Sequence, residues 1–361
     1  MKTVALFGHR HLQDDLLKAF RAGRLPQVLL LTGSPGVGKQ TLGRWIAATL
    51  LCQSGAQAAP CGTCQGCRLA NDLSHPDFHW FVPILRPKAA DQDKQIEEVK
   101  ETLGEVMAAR RENPVYGAPD GLTMHGVASA RLLLRTAAMT TVMGGRRVIL
   151  VGDAERLVPQ ESSQEAANAL LKFLEEPPAS TTVILTTTDP TRVLPTIRSR
   201  AVPIRLGRLS AEAVEEGLAH FVPALSAADR RARVAAAEGS LGRALDAAAN
   251  AGALAQADQL LAVCRQGGTA RFERVMKQGS FAARGEFSSL LESLSLTLAN
   301  AARASAGGPG TVSEPLRDVP PDRCLAALER VDAAKESALG NVNPQLILAT
   351  LTGELSEALW A

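Results

Sequence analysis

Residues 27–50 read QVLLLTGSPGVGKQTLGRWIAATL, and this stretch constrains the fold more than any other part of the chain. The apolar run closed by glycine predicts a buried strand, and the apolar spacing after Lys39 predicts a helix. Between them, glycines allow backbone amides to turn towards phosphate oxygens at the start of the helix, and the lysine would reach the outer phosphates. The sequence therefore predicts half of a parallel α/β unit, with a phosphate-binding loop formed by Gly33, Ser34, Pro35, Gly36, Val37, Gly38 and Lys39.

The residue after Lys39 puts the metal of such a loop in question. A Ser or Thr hydroxyl at this place normally ligates Mg²⁺, but the residue here is Gln40. Thr41 comes one residue later, and on a helix that is about 100° of rotation. We therefore include Gln40 and Thr41 in the phosphate cradle and leave open whether ATP binds there, but we do not expect a complete Mg²⁺ site.

Four of the six cysteines lie within one short segment, in the pattern Cys52-x8-Cys61-x2-Cys64-x2-Cys67. Zn²⁺ takes four thiolates in a tetrahedron, and Gly62 and Gly66 permit the tight turns between the ligands. Because four cysteines leave no open position for water, the sequence predicts a structural zinc site and not a catalytic one. The nearby His75 and His79 are then interpreted as ordinary polar or packing residues.

Composition narrows the class of protein. The chain has 361 residues, which suggests two or three domains. Its net charge of +2 is too small to indicate nucleic-acid binding by itself. There is no apolar run of membrane length, and the N-terminal segment turns polar too early for a secretory signal. We therefore expect a cytoplasmic protein without a membrane partner.

Strand and helix patterns continue to about residue 208. Residues 75–84, RRVILVGD, STTVILTTTDP and VPIRL read as further strands separated by helical segments, which predicts a mostly parallel sheet covered on both faces. Residues 86–120 are charged and read as a solvated amphipathic helix, followed by the loop NPVYGAPDG, inserted on this core. Beyond residue 209 the segments are Ala- and Leu-rich helices, with a flexible loop at 301–315.

Several stretches together resemble one protein family. The cysteine spacing, HPDF at 75–78, NALLKFLEEPP at 168–178, TTTDP at 186–190 and TIRSRA at 196–201 are similar to clamp-loader subunits of bacterial DNA polymerase III. These are the gamma/tau motor subunits and their relative delta-prime. The resemblance covers residues 8–84 and 125–250 in detail, the helical tail only in character and the insertion not at all.

The resemblance implies an α/β fold with three domains. An AAA+-type P-loop ATPase core with a parallel sheet would span 1–207, with a four-cysteine zinc module at 52–67 and an insertion near 86–120. A small helical lid would follow at 208–250, and an all-α collar for oligomerisation at 251–361. In that family the collar assembles a pentameric ring that opens the sliding clamp and places it on primed DNA. Partners would be gamma/tau and delta and, through the complex, the sliding clamp and primer-template DNA.

Departures from the motor pattern indicate the delta-prime type. In the motor subunits that this chain resembles, an Asp-Glu pair follows the second strand. The corresponding positions here are Gly152 and Asp153. Their lid carries an Arg directly after GSL, where this chain has Gly242, with Arg243 one place late. Together with Gln40, four positions of the hydrolytic apparatus are altered. We therefore expect that the chain has lost its own ATP hydrolysis.

One element of catalysis is retained in TIRSRA. The resemblance implies that Arg200, preceded by Ser199, acts as an arginine finger that completes the ATP site of a neighbouring subunit. The family's following cysteine is Ala201 here.

Two other functions remain open from the sequence. The chain could be an active gamma/tau-like clamp-loader ATPase with unusual ligands, so its status as an enzyme is uncertain. It could also use the ATPase fold only for binding, outside replication, and failure to assemble with gamma and delta would favour that reading.

Overall fold

The computed structural model describes residues 5–57, 59–113, 123–143, 145–157, 165–277, 284–307, 312–339 and 342–361. Within these ranges the chain forms two compact units, one containing the described residues through Leu245 and the other those from Asp246 onward. Of the predicted loop NPVYGAPDG, all but Asn113 lies outside the described residues, as do the first residues of the predicted helix at 162–178.

The first unit is built on a sheet of five parallel strands, arranged in the order β2-β3-β4-β1-β5. The three central strands are almost fully buried, as expected for parallel strands covered on both faces. Pro203 lies on the edge strand β5, where a missing backbone N–H is tolerated. The predicted parallel sheet is confirmed, with strands β1 (Val28–Thr32), β2 (Phe78–Phe81), β3 (Arg147–Val151), β4 (Thr181–Thr187) and β5 (Val202–Arg205).

Within the described residues of the first unit, helices pack against the sheet, and their buried apolar side chains join those of the strands in one hydrophobic core. They are α1 (Arg10–Arg21), α2 (Lys39–Leu50), α3 (Gln65–Asn71), α4 (Gln92–Glu112), α5 (Val127–Ala138), α6 (Glu165–Glu175) and α7 (Pro195–Arg198).

Helix α4 lies in the segment predicted as an insertion, and its buried face confirms the predicted amphipathic character. Ile96, Val99 and Leu103 recur at helical spacing, are buried and belong to the core of the first unit. Most of the other α4 side chains are exposed or half-buried. Near its C-terminal end, however, α4 also buries a charged residue, Arg110, that the pattern did not predict.

The first unit ends in three further helices, α8 (Ala211–Phe221), α9 (Ala227–Ala237) and α10 (Leu241–Leu245). Their buried side chains form a small hydrophobic cluster of their own, centred on Val214 and Leu218.

The second unit is entirely helical in its described residues, with α11 (Ala247–Gln266), α12 (Gly268–Met276), α13 (Arg284–Ser305), α14 (Pro321–Leu339) and α15 (Pro344–Trp360). Its core is a cluster of Leu and Ala side chains. The predicted loop at 301–315 is wrong at its start, since α13 continues through Ser305. Ala301 and Ala302 are buried in the core, and this packing holds the last turn in the helix.

Candidate functional site

The phosphate-binding loop connects β1 to α2, as the sequence predicted. Gly36 and Gly38 have φ angles of +72° and +97°, a region that side chains with a Cβ rarely adopt. Gly38 immediately precedes the first residue of α2, so the free backbone amides of the helix face the loop. Ser34 and Pro35 are exposed at the tip, whereas Val37 is buried and its carbonyl accepts a hydrogen bond from His9 Nε2 at 2.9 Å.

Lys39 lies inside this loop. Its side chain is only 6% exposed, and Nζ donates hydrogen bonds to the carbonyl oxygens of Gly33 at 2.8 Å and Ser34 at 2.9 Å. Burial lowers the pKa of the ammonium, while the carboxylates of Asp153 and Glu155 oppose that shift. The lysine that would reach a nucleotide's outer phosphates is therefore held by the loop's own backbone.

The first turn of α10 contacts the same loop. The Gly242 amide donates to the Gly36 carbonyl at 3.0 Å, and Ser240 Oγ donates to the Pro35 carbonyl at 3.0 Å. A Cβ on Gly242 would lie 2.7 Å from Gly36 Cα, and one on Gly36 would lie 2.2 Å from Ser240 Oγ. A side chain at Gly242 would therefore require the helix or the loop to move, whereas one at Gly36 would first displace the Ser240 hydroxyl.

A second close contact lies where β3 ends. Gln40 Nε2 donates to Asp153 Oδ1 at 3.3 Å, and a Cβ built on Gly152 would lie 3.0 Å from that same Nε2. The Asp153 backbone has a φ of +52°, and its amide donates to Thr186 Oγ1 at 3.1 Å. Burial and the nearby Glu155 raise the pKa of the Asp153 carboxyl, opposed by neighbouring cations. A side chain at Gly152 would therefore require the Gln40 amide to shift.

Two residues of this region were missed by the sequence analysis. Arg110 Nη1 lies 3.4 Å from Gln40 Oε1, although it belongs to the insertion helix, 70 residues away. Ser240 anchors α10 to the loop. Nothing in the local sequence of Arg110 points to this contact, whereas Ser240 was part of the GSL pattern but carried no assigned role. Thr41 is half-buried on α2, one residue beyond Gln40.

The four predicted zinc ligands are brought together. The sulfur atoms of Cys52, Cys61, Cys64 and Cys67 all lie within 4.8 Å of one another. Two pairs of sulfurs are separated by 3.9 and 4.0 Å, close to the edge of about 3.8 Å that follows from a tetrahedron with Zn–S bonds of about 2.3 Å. The geometry and the donor type fit a four-thiolate zinc site.

Hydrogen-bond donors around Cys61 favour its thiolate, whereas burial raises the pKa of Cys67. Ser54 Oγ donates to Cys61 Sγ at 3.2 Å and the Cys64 amide to the same sulfur at 3.4 Å, and such donors lower the pKa of Cys61 to about 5. The Cys67 amide donates in turn to Cys64 Sγ. Gly66 is required for the fold of this module, because a Cβ there would lie 2.1 Å from the Leu51 carbonyl oxygen. A bound Zn²⁺ would hold the module together without an open coordination position.

Arg200 follows α7 and is held by residues of α6 and α7. Its Nη1 donates to the Thr196 carbonyl at 2.6 Å, and its Nη2 forms an ion pair with Glu175, the last residue of α6. The side chain is 29% exposed, and Ser199 beside it is exposed. The guanidinium is thus presented at the surface of the first unit next to the C-terminal end of α6.

The five-stranded parallel sheet and the glycine-rich loop between β1 and α2 define an AAA+-type P-loop core. A family model described as DNA polymerase III, delta subunit, matches residues 8–210. The chain belongs to this family of DNA polymerase III clamp-loader subunits.

Individual relatives agree with this membership. The chain is 33% identical over 194 residues to the DNA polymerase III subunit delta' of Pseudomonas aeruginosa, which covers 54% of this chain and 47% of the relative. It is 36% identical over 92 residues to subunit delta' of Escherichia coli, a match that covers 26% of this chain and 27% of the relative. It is 31% identical over 102 residues to subunit tau of the same organism, a match that covers 28% of this chain and 15% of the relative. The matches thus span about half of the first relative's length and less of the others. Among the described helices, none is long and apolar enough to cross a bilayer.

Proposed function

We propose that this chain is a delta-prime-like subunit of the DNA polymerase III clamp loader. It joins gamma/tau and delta in a pentameric ring and, through that ring, acts on the sliding clamp and primer-template DNA. A cytoplasmic location follows from this proposed role in replication. The family membership of residues 8–210 and the two delta' relatives support the proposal.

The second part of the proposal is that the chain does not hydrolyse ATP itself. The observation that carries it is the pair of close contacts at the loop, Gln40 with Gly152 and Gly36 with Gly242. In P-loop ATPases a hydroxyl directly after the lysine and an Asp at the end of the strand hold Mg²⁺, and these two positions are Gln40 and Gly152 here. The ammonium of Lys39 is also bound to loop carbonyls. Each contact fills space that the hydrolytic apparatus would use.

The third part is that Arg200, with Ser199 beside it, serves the ATP site of the adjacent subunit. Its position at the surface next to the end of α6 supports this role, since a guanidinium there can meet a neighbour. An arginine finger stabilises charge on the transferring phosphoryl group and is worth about 10³-fold or more in kcat.

The test is single-turnover ATP hydrolysis by the reconstituted ring carrying Arg200→Ala. We expect the amount of ATP hydrolysed in a single turnover to fall by the contribution of one ATP site. Arg198→Ala is the matched control, because Arg198 is an exposed arginine two residues away. Full hydrolysis and clamp loading with Arg200→Ala would exclude the finger role.

An active gamma/tau-like ATPase is the second candidate, favoured by the intact GSPGVGK loop and the similarity to tau. It predicts Mg²⁺-dependent phosphate release by the purified wild-type chain that disappears in Lys39→Ala. Absence of phosphate release excludes an active ATPase. Whether the loop still binds a nucleotide is then a separate question about structure.

We also propose a structural Zn²⁺ in the four-cysteine module and a division into core (1–207), lid (208–250) and collar (251–361). The separate hydrophobic clusters of the sheet, of α8–α10 and of α11–α15 support this division. Limited proteolysis would test it, with first cuts expected near residue 208 and just before α11 begins at Ala247, because the proposed boundary at 250 lies inside that helix.

A further inference from the structure

The end of β3 lies beside α2, and both places from which a P-loop ATPase ligates Mg²⁺ are altered here. The Asp position is Gly152, which has no ligand atom in its side chain, and the hydroxyl position is Gln40. Both ends of the Gln40 amide are engaged, since Nε2 donates to Asp153 and Oε1 accepts from Arg110. The donor set therefore does not fit Mg²⁺.

Arg110 is built into this place by several contacts. Its side chain is 7% exposed, and its Cζ lies 4.2 Å from the centre of the Trp80 ring, a cation–π distance. Trp80 belongs to β2 and is paired with Leu150 of β3, so the ring is fixed by the sheet. The guanidinium thus lies between a sheet tryptophan and the Gln40 amide.

The surrounding charge is consistent with a cation at this point. Asp153 is a half-buried acid on which Arg156, Lys39 and Arg110 act as neighbouring positive charges, and Glu155 is a buried acid nearby. A buried carboxylate needs a compensating cation. Here the protein provides that charge from its own side chains, and a divalent cation would meet the guanidinium at close range.

We propose that the inserted helix α4 supplies a built-in cation, Arg110, in place of Mg²⁺, and so closes the Gln40–Asp153 end of the loop to divalent metal. This inference rests on the proposed loss of hydrolysis and deepens it. It also gives the insertion a role, because α4 anchors its apolar face in the core and thereby carries Arg110 to the loop.

The first test compares variants in which the two ligand positions are restored. Gln40→Thr with Gly152→Asp supplies the hydroxyl and the carboxylate but keeps Arg110. Adding Arg110→Met removes the charge and leaves a flexible apolar side chain over Trp80. Adding Arg111→Met instead is the matched control, since Arg111 is exposed on the same helix.

Binding of Mn²⁺ to the full chain, followed by electron paramagnetic resonance, is the readout. We expect affinity to rise about tenfold or more with Arg110→Met, because a unit charge at this range repels a divalent ion strongly at partial burial. Arg111→Met should leave it unchanged. Equal affinity in the two triple variants would overturn the inference.

The second test does not require the restored ligands to fold. The melting temperature of the wild-type chain should be the same in MgCl₂ and in KCl of equal ionic strength, without a chelator, which would also remove zinc. Arg110→Met should lower it by about 5 °C or more, and Asp153→Asn should recover part of that loss, because it removes a negative charge that Arg110 had helped to offset. A melting temperature raised by MgCl₂, or an Arg110→Met variant as stable as Arg111→Met, would overturn the inference.

These outcomes separate the inference from the proposed function. Mg²⁺-dependent hydrolysis by the purified chain would overturn both. A melting temperature raised by MgCl₂ without hydrolysis would overturn only the role of Arg110. If the ring is fully active with Arg200→Ala and the melting temperature of the chain does not respond to MgCl₂, only the proposed arginine-finger role is overturned.

Discussion

The backbone amide of Gly242 donates a 3.0 Å hydrogen bond to the carbonyl oxygen of Gly36, and this bond joins the first turn of α10 to the phosphate-binding loop. Both partners are glycines, and a Cβ on Gly242 would lie 2.7 Å from Gly36 Cα. Backbone atoms cannot swing aside as side chains do. The contact therefore depends on the absence of a side chain at 242.

Gly242→Ala should destabilise the first unit by about 1–3 kcal/mol, because the added methyl group overpacks against the loop backbone. Urea unfolding of a chain carrying Trp360→Phe checks this, since Trp45 and Trp80 then report on the first unit alone. Gly104→Ala is the control, because a Cβ there meets nothing within 4 Å and replaces a glycine inside α4. A Gly242→Ala chain as stable as wild type would refute the tight fit.

Gln40 and Gly152 should behave as one unit in a double-mutant cycle. Gly152→Asp alone forces its side chain against the Gln40 amide, and the smaller threonine of Gln40→Thr relieves that contact. We expect a coupling energy of about 1–2 kcal/mol between the two substitutions, measured by the same urea unfolding. Additive effects would show that the two positions do not constrain each other.

The four-cysteine module should hold one Zn²⁺ per chain. Cys64→Ser should abolish metal content and lower the melting temperature of the first unit, because zinc binding contributes folding free energy. Inductively coupled plasma mass spectrometry measures the metal. Cys324→Ala, at a buried cysteine of the second unit, should retain a full equivalent of zinc. Loss of zinc in that control would contradict the assignment of the ligands.

The stability of the chain should fall as the pH drops from about 6.5 to about 4, in part because of His125. Burial lowers the pKa of this imidazole to about 4, although its Nε2 donates to the Gly152 carbonyl. The unfolded chain, whose histidine has the ordinary pKa of 6.5, therefore binds the proton first and is favoured by acid. The loss is about 3 kcal/mol in full and levels off below pH 4.

The unfolding free energies of wild type and His125→Gln are measured across pH. Protonation of the cysteines affects both chains equally, so the difference between them reports the contribution of His125 alone. The difference should shrink as the pH falls. His11→Gln, at an exposed position, should track the wild-type curve. A constant difference between wild type and His125→Gln would rule out a neutral buried imidazole.

Much of the first unit follows from the sequence for local reasons. The run at Val28–Thr32 and the run at Arg147–Val151 are apolar because both faces of a parallel sheet are covered, so composition alone marks them as strands. The four cysteines are found by spacing, since metal geometry limits the distance between ligands along the chain.

The features that the sequence did not reveal depend on contacts between distant segments. Arg110 belongs to a charged helix in which nothing distinguishes it from the exposed Arg111, and only the fold brings it to Gln40 and Trp80. The short helix α3 was not predicted because its N-cap is a cysteine, Cys64, whose sulfur accepts a hydrogen bond from the amide of Cys67. Propensity scales do not treat cysteine as a cap.

The pairing of Gln40 with Gly152 and of Gly36 with Gly242 has an evolutionary consequence. Under the proposed loss of hydrolysis, an arginine at 242 would meet the Gly36 backbone and an aspartate at 152 would meet the Gln40 amide, so a return to hydrolysis would also require the loop to move and Gln40 to shift or be replaced. Each substitution that fits a chain without hydrolysis then makes a later return to hydrolysis harder, because its partner residue must change or move as well.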